Sequence, residues 1–391
     1  MKKSIYFDYA AATPIDPAVA KVVEQTQKDF FANPSSLHTP GRLAGQKLAE
    51  ARARVAKILG AKPAEIIFTC GTTEAANIAI SGLAAAWPQT RILASAIEHE
   101  AVLATLDHLE RAGRQVGKIP VTSDGIVKID QVLASIDDLT SLVCVQYANN
   151  EIGSIQQIAK VSQLIAGIRV NRRERGITTP LFLYCDAAQA GMLSLQVSRL
   201  GVDLMSMGGS KLYGPSGSGF LYVRAGVKLE PVITGGGQEF GLRSGTPSVA
   251  LAVGLAEALE RQQARRTGES KRQQVLRDHL WQKIQKIEEA VLNGTLNSRL
   301  PGNLNVTFPG ASGEELVSHL DAAGFAVATG SACSASSEEP SHVLRAIGRS
   351  VPEAEASLRL TLGQPTTKAE VDSLASILVK VVGRVRQLSG K

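Results

Sequence analysis

The chain has 391 residues, of which 44% are hydrophobic and 20% are charged, and its formal net charge at pH 7 is +6. This composition is typical of an ordinary globular protein, the length predicts two domains, and no apolar run is long enough to cross a membrane. The basic residues are spread along the chain without an aromatic-interleaved basic run, so DNA or RNA binding is not indicated.

Short apolar runs alternate with helical patterns through the first 260 residues. Strands are predicted at IIFT (66–69), RILAS (91–95), LVCVQY (142–147), LFLYCD (181–186), VDLMSM (202–207) and GFLYVR (219–224). Helices are predicted through 77–86, 99–111 and 156–168. This alternation predicts an α/β domain with a mostly parallel sheet and helices on both faces.

The pattern changes near residue 247, where a long helical stretch begins and continues to about residue 290. Beyond it, strands are predicted at 303–308, near 326–329 and at 357–362, and helices at 313–323 and from 367. These elements predict a smaller α+β domain of residues 260–391 together with 1–15. The large domain is expected to cover 16–259, with Asp16-Pro17 opening its first helix.

The four cysteines fall into two classes. Cys70, Cys144 and Cys185 lie in or at the end of apolar runs and are predicted to be small buried core residues. Cys333 lies in TGSACSASSEEP, where small polar neighbours predict an exposed thiol. No CxxC spacing occurs, so no metal site is expected.

The first residues carry no long apolar segment, so the expected location is the cytoplasm.

A phosphate-binding turn is predicted where the strand IIFTC runs into GTTEAANIAI. A strand followed by Gly-Thr-Thr and a helix directs backbone N–H groups and hydroxyls, including those of Thr72 and Thr73, to one point. The alternative is a threonine that only caps the helix.

Two further segments favour a pyridoxal-phosphate site. Asp186 ends a predicted strand, where ligands bind in open α/β sheets, and it could hold a ring nitrogen protonated, with Gln189 near the same ring. Lys211 follows Gly208, Gly209 and Ser210, and such a lysine suits covalent attachment of an aldehyde. Taken singly, Asp186 could merely cap a turn, and Lys211 could be a solvated loop residue.

With these residues the chain resembles the cysteine desulfurases of the NifS/IscS type, within the class V aminotransferases. The matching segments are YFDYAAATPIDP, NPSSLH, FTCGTTEAAN, EHEAV, NNEIGSIQ, DAAQAGM, GPSGSGFLYV, GGGQEFGLRSGTPS, TGSACSASSEEPSHVLRAIG and LRLTLG. Ten matches in one order, running nearly end to end, make the resemblance specific. It implies the fold type I of pyridoxal-phosphate transferases, with pyridoxal 5'-phosphate as cofactor.

The resemblance also implies roles for the residues that hold the cofactor ring. Lys211 would bond to the cofactor aldehyde, Asp186 would pair with the ring nitrogen, and Gln189 with the ring hydroxyl. His99, in EHEAV, would stack on the ring and move protons, although a lone histidine at a helix start is more often a surface or capping residue.

Other matching positions would bind the phosphate and the substrate. Thr73, assisted by Thr72, would bind the phosphate, and Asn150 would lie beside cofactor and substrate. Arg359 would bind the substrate carboxylate, the alternative being a solvent-facing strand arginine. Thr246 would reach the phosphate of a neighbouring subunit, which implies a homodimer.

The implied reaction moves sulfur from L-cysteine to Cys333 and releases L-alanine. The persulfide would pass to an acceptor or scaffold protein in iron–sulfur cluster assembly, tRNA thiolation or DNA phosphorothioation. An acidic partner could dock on the basic C-terminal region. The alternatives are a selenocysteine lyase or an aminotransferase on the same scaffold, or a weakly active scaffold paralogue.

One departure from the family pattern lies beside the lysine. The usual Ser-Gly-His-Lys is replaced by Gly208, Gly209, Ser210 and Lys211. Two phosphate-binding side chains are therefore changed, although Ser210 could still donate one hydrogen bond. We expect weaker cofactor retention rather than none.

Overall fold

The structure is a computed structural model that describes residues 4–330 and 339–388. The predicted nucleophile Cys333 lies outside the described residues. The strands are β1 (Ile5–Tyr6), β2 (Ile66–Thr69), β3 (Arg91–Ser95), β4 (Gln115–Ile119), β5 (Thr140–Cys144), β6 (Phe182–Asp186), β7 (Leu204–Gly208), β8 (Gly219–Val223), β9 (Val291–Leu292), β10 (Asn303–Thr307), β11 (Phe325–Ala326) and β12 (Ser357–Thr361).

The helices begin with α1, which Asp16 caps by accepting a hydrogen bond from the Ala18 N–H at 2.8 Å, with Pro17 as the first residue, as predicted. They are α1 (Pro17–Asp29), α2 (Thr39–Leu59), α3 (Thr72–Ala86), α4 (Glu100–Arg111), α5 (Ile129–Ser135), α6 (Ile158–Glu174), α7 (Val197–Leu200), α8 (Val249–Ile284), α9 (Gly313–Ala322), α10 (His342–Ala346), α11 (Val351–Glu355) and α12 (Lys368–Leu388). None of these helices combines the length and apolar content that crossing a membrane requires.

The large sheet confirms the predicted α/β architecture. Its strand order is β2-β8-β7-β6-β5-β3-β4. The neighbours from β7 to β4 pair in parallel, whereas β8 is antiparallel to both β7 and β2. The carboxyl ends of β5, β6 and β7 therefore meet at one edge, as in other parallel sheets that bind ligands there.

Both faces of this sheet are buried. Successive side chains of a strand point to opposite faces, so each strand contributes to the core on both sides. Leu142 and Cys144 of β5 pack on one side in a cluster with residues of α3 and α4. Val143 packs on the other side with residues of α2, α6 and the first half of α8. Continuous apolar strands in the sequence therefore predicted this sheet correctly.

A second core surrounds the antiparallel sheet β12-β10-β9. It contains Phe7 of the N-terminal segment, Leu276 and Leu280 of α8, and residues of α9 and α12. The helix α8 is 36 residues long and contributes to both cores, since its Leu259 lies in the first. The predicted domain boundary at residue 260 stays a prediction and falls within this helix.

The structure differs from the predicted elements in places where tertiary pairing overrides local pattern. The edge strand β4 was not predicted, because its sequence QVGKI lacks an apolar run, and only its last residue, Ile119, is buried. The strand predicted at 142–147 runs from 140 to 144, and the one predicted near 326–329 is β11, at 325–326. The helices α2, α5, α7, α10 and α11 were also not predicted.

Candidate active site

A cavity of about 310 Å³ opens at the carboxyl ends of β5, β6 and β7. Its lining brings together residues that are far apart in the sequence. Those predicted as site residues are Thr72, Thr73, His99, Asn150, Asp186, Gln189, Ser210, Lys211 and Arg359. The geometry of each follows from the element that carries it.

The N-terminus of α3 forms one end of this cavity. Gly71 is the N-cap residue and makes no side-chain capping bond, so Thr72 and Thr73 are the first helical residues rather than simple caps. Gly208 lies against them, since a Cβ atom there would be 2.7 Å from Thr72 Oγ1. Free N–H groups, hydroxyls and a glycine without a side chain fit a bound phosphate.

Asp186 is the last residue of β6 and is almost fully buried. Its Oδ1 accepts a hydrogen bond from the Ala188 N–H at 2.8 Å, so the residue caps its turn and also lines the cavity. Burial raises the pKa of this carboxyl to about 6, while the Ala188 N–H and the Lys211 ammonium act in the opposite direction. A buried carboxylate at this position fits a cationic ring nitrogen.

The N-terminal segment holds Lys211 and Gln189 in place. Lys211 Nζ donates to the carbonyl of Ala11, and the Thr13 N–H donates to the Ser210 carbonyl at 2.9 Å. Gln189 Nε2 donates to the Ala10 carbonyl at 2.9 Å. Because an amide NH₂ has two hydrogens, this bond leaves Gln189 a second donor for a ligand.

His99 caps α4 and also lines the cavity. Its Nδ1 accepts a hydrogen bond from the Ala101 N–H at 3.0 Å, so the proton of the neutral ring is on Nε2. Burial lowers the pKa of His99, and the nearby Lys211 ammonium lowers it further. The ring is therefore a neutral Nε2–H donor at physiological pH.

Arg359 is buried on β12, with 1% of its surface exposed, so the alternative of a solvent-facing arginine is wrong. Its Nη2 donates to Asp8 Oδ1 at 2.7 Å, and its Nη1 to the Asn150 carbonyl at 3.4 Å. Its Nε is buried without a hydrogen-bond partner among the described residues. An unused N–H on a buried guanidinium fits an anionic group bound in the cavity.

Thr246 is not among the described residues that line this cavity. It is exposed and lines a neighbouring cavity together with Arg243 and Cys70.

Cys70 lines both cavities. It is exposed, and its prediction as a core residue was wrong because β2 ends one residue earlier. The predictions of buried Cys144 and Cys185 are confirmed.

The sequence analysis missed several residues around the site. Gln146 follows β5 and lines the cavity. Ligands bind beyond the carboxyl ends of parallel strands, and this rule, which indicated Asp186, could also have indicated Gln146. Glu74 lies on the lining and pairs with Arg243 at 2.7 Å. Asp8 was within a matching segment, but only its contact with Arg359 reveals its connection to the site.

Comparison with known proteins identifies relatives along the whole chain. The family described as "Aminotransferase class-V" matches residues 5–374. The chain is 40% identical over 393 residues to "Cysteine desulfurase IscS" of Dictyoglomus turgidum, covering 100% of this chain and 97% of the relative. It is also 40% identical over 387 residues to "Cysteine desulfurase IscS 1" of Archaeoglobus fulgidus, covering 98% of each.

Solved structures give the same result. A "NIFS-LIKE PROTEIN" superimposes with a TM-score of 0.88 at 32% identity, covering 97% of this chain and 100% of that one. A structure described as "SspA in complex with cysteine" has a TM-score of 0.77 at 35% identity, covering 91% and 98%. The chain therefore belongs to the class V aminotransferases, a family of pyridoxal-phosphate enzymes, and within that family to the cysteine desulfurases.

Proposed function

We propose that this enzyme removes the sulfur of L-cysteine and leaves it as a persulfide on Cys333, with L-alanine as the second product. The observation that carries the proposal is the cavity in which Lys211, Asp186, His99 and Arg359 converge. This set combines an amine, a carboxylate, a neutral imidazole and a guanidinium, which are the groups that an amino-acid substrate and its cofactor require. The cysteine desulfurase relatives support the same assignment.

The residues present fit pyridoxal phosphate. Lys211 would hold its aldehyde, Asp186 its ring nitrogen and Gln189 its ring hydroxyl, with His99 stacked on the ring. The amides at the start of α3, with Thr72, Thr73 and Ser210, would hold the phosphate. When bound, the cofactor withdraws electrons from the substrate Cα and makes its proton acidic.

The chain's own residues then position the substrate and move its protons. Arg359 binds the carboxylate of cysteine, using the Nε–H that is free of protein partners among the described residues. Asn150, whose carbonyl accepts a bond from Arg359, lies beside the substrate. Lys211 takes the Cα proton as a base. Asp186, with a pKa of about 6, is ionised at neutral pH and would stabilise a protonated ring nitrogen.

The sulfur step involves Cys333. Its thiolate attacks the substrate sulfur, a sulfur–sulfur bond forms, and the substrate carbon–sulfur bond breaks with its electron pair remaining on carbon. Protonation of that carbon gives the methyl group of alanine. One cysteine and one enzyme thiol thus give one alanine and one persulfide, and no external oxidant or reductant is needed.

The proposal includes a homodimer and a sulfur acceptor. The exposed Thr246, outside the cavity of its own chain, is available to contact the phosphate site of a second copy. The acceptor would be a protein of iron–sulfur cluster assembly or of tRNA thiolation. An acidic partner could bind at the C-terminal helix α12, which carries Lys380, Arg384 and Arg386.

The test is the production of alanine from L-cysteine without any oxo acid, measured for the wild type and for Cys333→Ser. We expect the wild type to release alanine, and the variant to retain the yellow cofactor but lose turnover. Full turnover by the variant would exclude Cys333 as the nucleophile. A need for an oxo acid would favour an aminotransferase, a strong preference for selenocysteine would favour the lyase, and a protein that binds no cofactor would favour the scaffold.

A further inference from the structure

The short helix α10 contacts the two turns that carry His99 and Asn150. Its Val343 and Leu344 are buried in one apolar cluster with Ile97, two residues before His99, and Ile152, two residues after Asn150. Among the described residues, this cluster is smaller than the clusters on the two faces of the large sheet and the one around the antiparallel sheet. Through it, α10 packs against the two turns that carry the cavity-lining residues His99 and Asn150.

Polar contacts reinforce this packing at the start of α10. Ser341 Oγ donates to Glu151 Oε2 at 2.6 Å and accepts from the Leu344 N–H at 3.2 Å. Glu151 is fully buried and directly follows Asn150. The first residues of α10 are therefore connected to the Asn150 turn by a hydrogen bond as well as by apolar contact.

His342 makes the corresponding contacts with the His99 turn. Its Nε2 lies 2.9 Å from the carbonyl oxygen of Glu98, and its Nδ1 lies 3.4 Å from Glu100 Oε1. Because a carbonyl oxygen only accepts, Nε2 carries a proton and donates it to this bond. Glu98 and Glu100 are the two neighbours of His99, so His342 contacts the chain on both sides of that residue.

The other side of the same turn is attached to the sheet. Glu98 Oε1 accepts a hydrogen bond from the Gln146 N–H at 2.8 Å, just after β5. Gln146 Nε2 and Asn149 Nδ2 both donate to the carbonyl of Ile97. The large domain thus fixes one side of the His99 turn, while His342 supplies the contact from α10.

We propose that His342 is a positioning residue for His99, and that its Nε2 bond to the Glu98 carbonyl sets the orientation of the His99 ring in the cavity. About a third of the His342 side chain is exposed, so the residue is not a core element that the fold requires. A functional side chain must be held within about 0.5 Å of its productive position to be effective. The inference rests on the proposed function for its kinetic readout.

The experiment uses the holoenzyme and two amide variants of this residue. In His342→Gln, the side-chain Nε2 can occupy the place of the histidine Nε2 and keep the bond to the Glu98 carbonyl. In His342→Asn, the amide nitrogen corresponds to Nδ1 and cannot reach that oxygen. The control is His108→Ala. His108 is exposed and lies on α4, the helix that His99 caps. The measurements are kcat and KM for alanine formation, visible circular dichroism of the bound cofactor, and the unfolding temperature.

We expect His342→Asn to lower kcat roughly tenfold with little change in KM, because misplacement rather than lost substrate binding causes the defect. Its cofactor dichroism should change, while its unfolding temperature stays near that of the wild type. His342→Gln should restore most of kcat and the wild-type dichroism, and His108→Ala should resemble the wild type.

Equal kcat and dichroism in His342→Asn and His108→Ala would overturn the proposal. Equal defects in His342→Asn and His342→Gln would also overturn it, since the Nε2 donor would then be irrelevant. If wild-type protein releases no alanine from cysteine, the proposed function fails, but the dichroism of the two amide variants still tests the positioning of His99.

Discussion

Arg359 and Asp8 form an ion pair at 2.7 Å, although 351 residues separate them in the sequence. Asp8 lies at the start of the chain and Arg359 on β12, in the sheet of the second core. The pair therefore brings the N-terminal segment and the C-terminal part of the chain together at the cavity. One carboxylate orients the guanidinium, and the buried Nε–H has no hydrogen-bond partner within residues 4–330 and 339–388.

Replacing Arg359 by Ala should weaken binding of the cysteine carboxylate. A hydrogen bond to a charged group is worth about 1.5–3 kcal/mol, so we expect KM for L-cysteine to rise roughly 10- to 100-fold. Arg359→Lys keeps the charge but not the bidentate geometry, so its KM for L-cysteine should lie between those of the wild type and Arg359→Ala. The comparison ligand is cysteamine, which lacks the carboxylate, and its binding, followed by visible absorption, should change little. An unchanged KM for L-cysteine in Arg359→Ala would contradict this role.

Treatment of the holoenzyme with borohydride should attach the reduced cofactor to Lys211. The amine lies in the cavity with Asp186 and His99, where an aldehyde bound at the α3 N-terminus would meet it. Peptide mapping by mass spectrometry identifies the modified residue. Lys228, which is 67% exposed, serves as the internal control and should remain unmodified. Labelling of another lysine, with Lys211 unmodified, would remove the basis for the proposed chemistry.

Glu98→Gln should change how the stability of the cofactor-free protein depends on pH. Burial raises the pKa of Glu98 from 4.5 to about 8, so between these values the folded chain keeps a proton that the unfolded chain has released. Wild-type stability therefore falls as pH rises through this window, and the variant lacks this loss.

The measurement is the free energy of unfolding in urea at pH 5 and pH 8. The stability of Glu98→Gln relative to the wild type should increase between these values, on the order of a few kcal/mol. Glu110→Gln, on the exposed side of α4, controls for the change of a carboxylate to an amide. A relative stability that falls from pH 5 to pH 8 would show that the sign is wrong.

Gly208→Ser restores the residue usual in the family, yet it should not improve cofactor binding here. A Cβ at this position would lie 2.7 Å from Thr72 Oγ1, so Thr72 would have to move away from the proposed phosphate site. We expect the dissociation constant of pyridoxal phosphate, measured by titration of the visible band, to rise severalfold.

Ser210→His is the contrasting change, since it restores the other family residue at a position on the cavity lining. It should strengthen cofactor retention by adding a hydrogen bond to the phosphate. The double variant Gly208→Ser with Thr72→Ala should recover part of the loss, because it removes the crowded hydroxyl. Tighter binding by Gly208→Ser alone would contradict the steric argument.

The fold and the part of the cavity lining that lies at strand ends were predictable because their signals are local. Continuous apolar strands separated by helices indicate a parallel sheet, and the carboxyl ends of its strands meet at one edge. Asp186 ends β6, Lys211 follows the neighbouring β7, and both therefore line the same cavity. The exposure of Cys70 and the burial of Arg359 were not readable in this way, because each depends on where a strand ends or what covers it.

By itself, the sequence determined the α/β class, the strand-end placement of Asp186 and Lys211, which we propose to bind the cofactor, and the ordered motifs that resemble the cysteine desulfurases. These features follow from periodicity and from residue types over short distances. Only the tertiary structure decided that Asp8 pairs with Arg359, that His342 contacts both neighbours of His99, and that Gly208 lies against Thr72. Each of these contacts joins segments that meet only when separate elements pack together, and no local pattern encodes that packing.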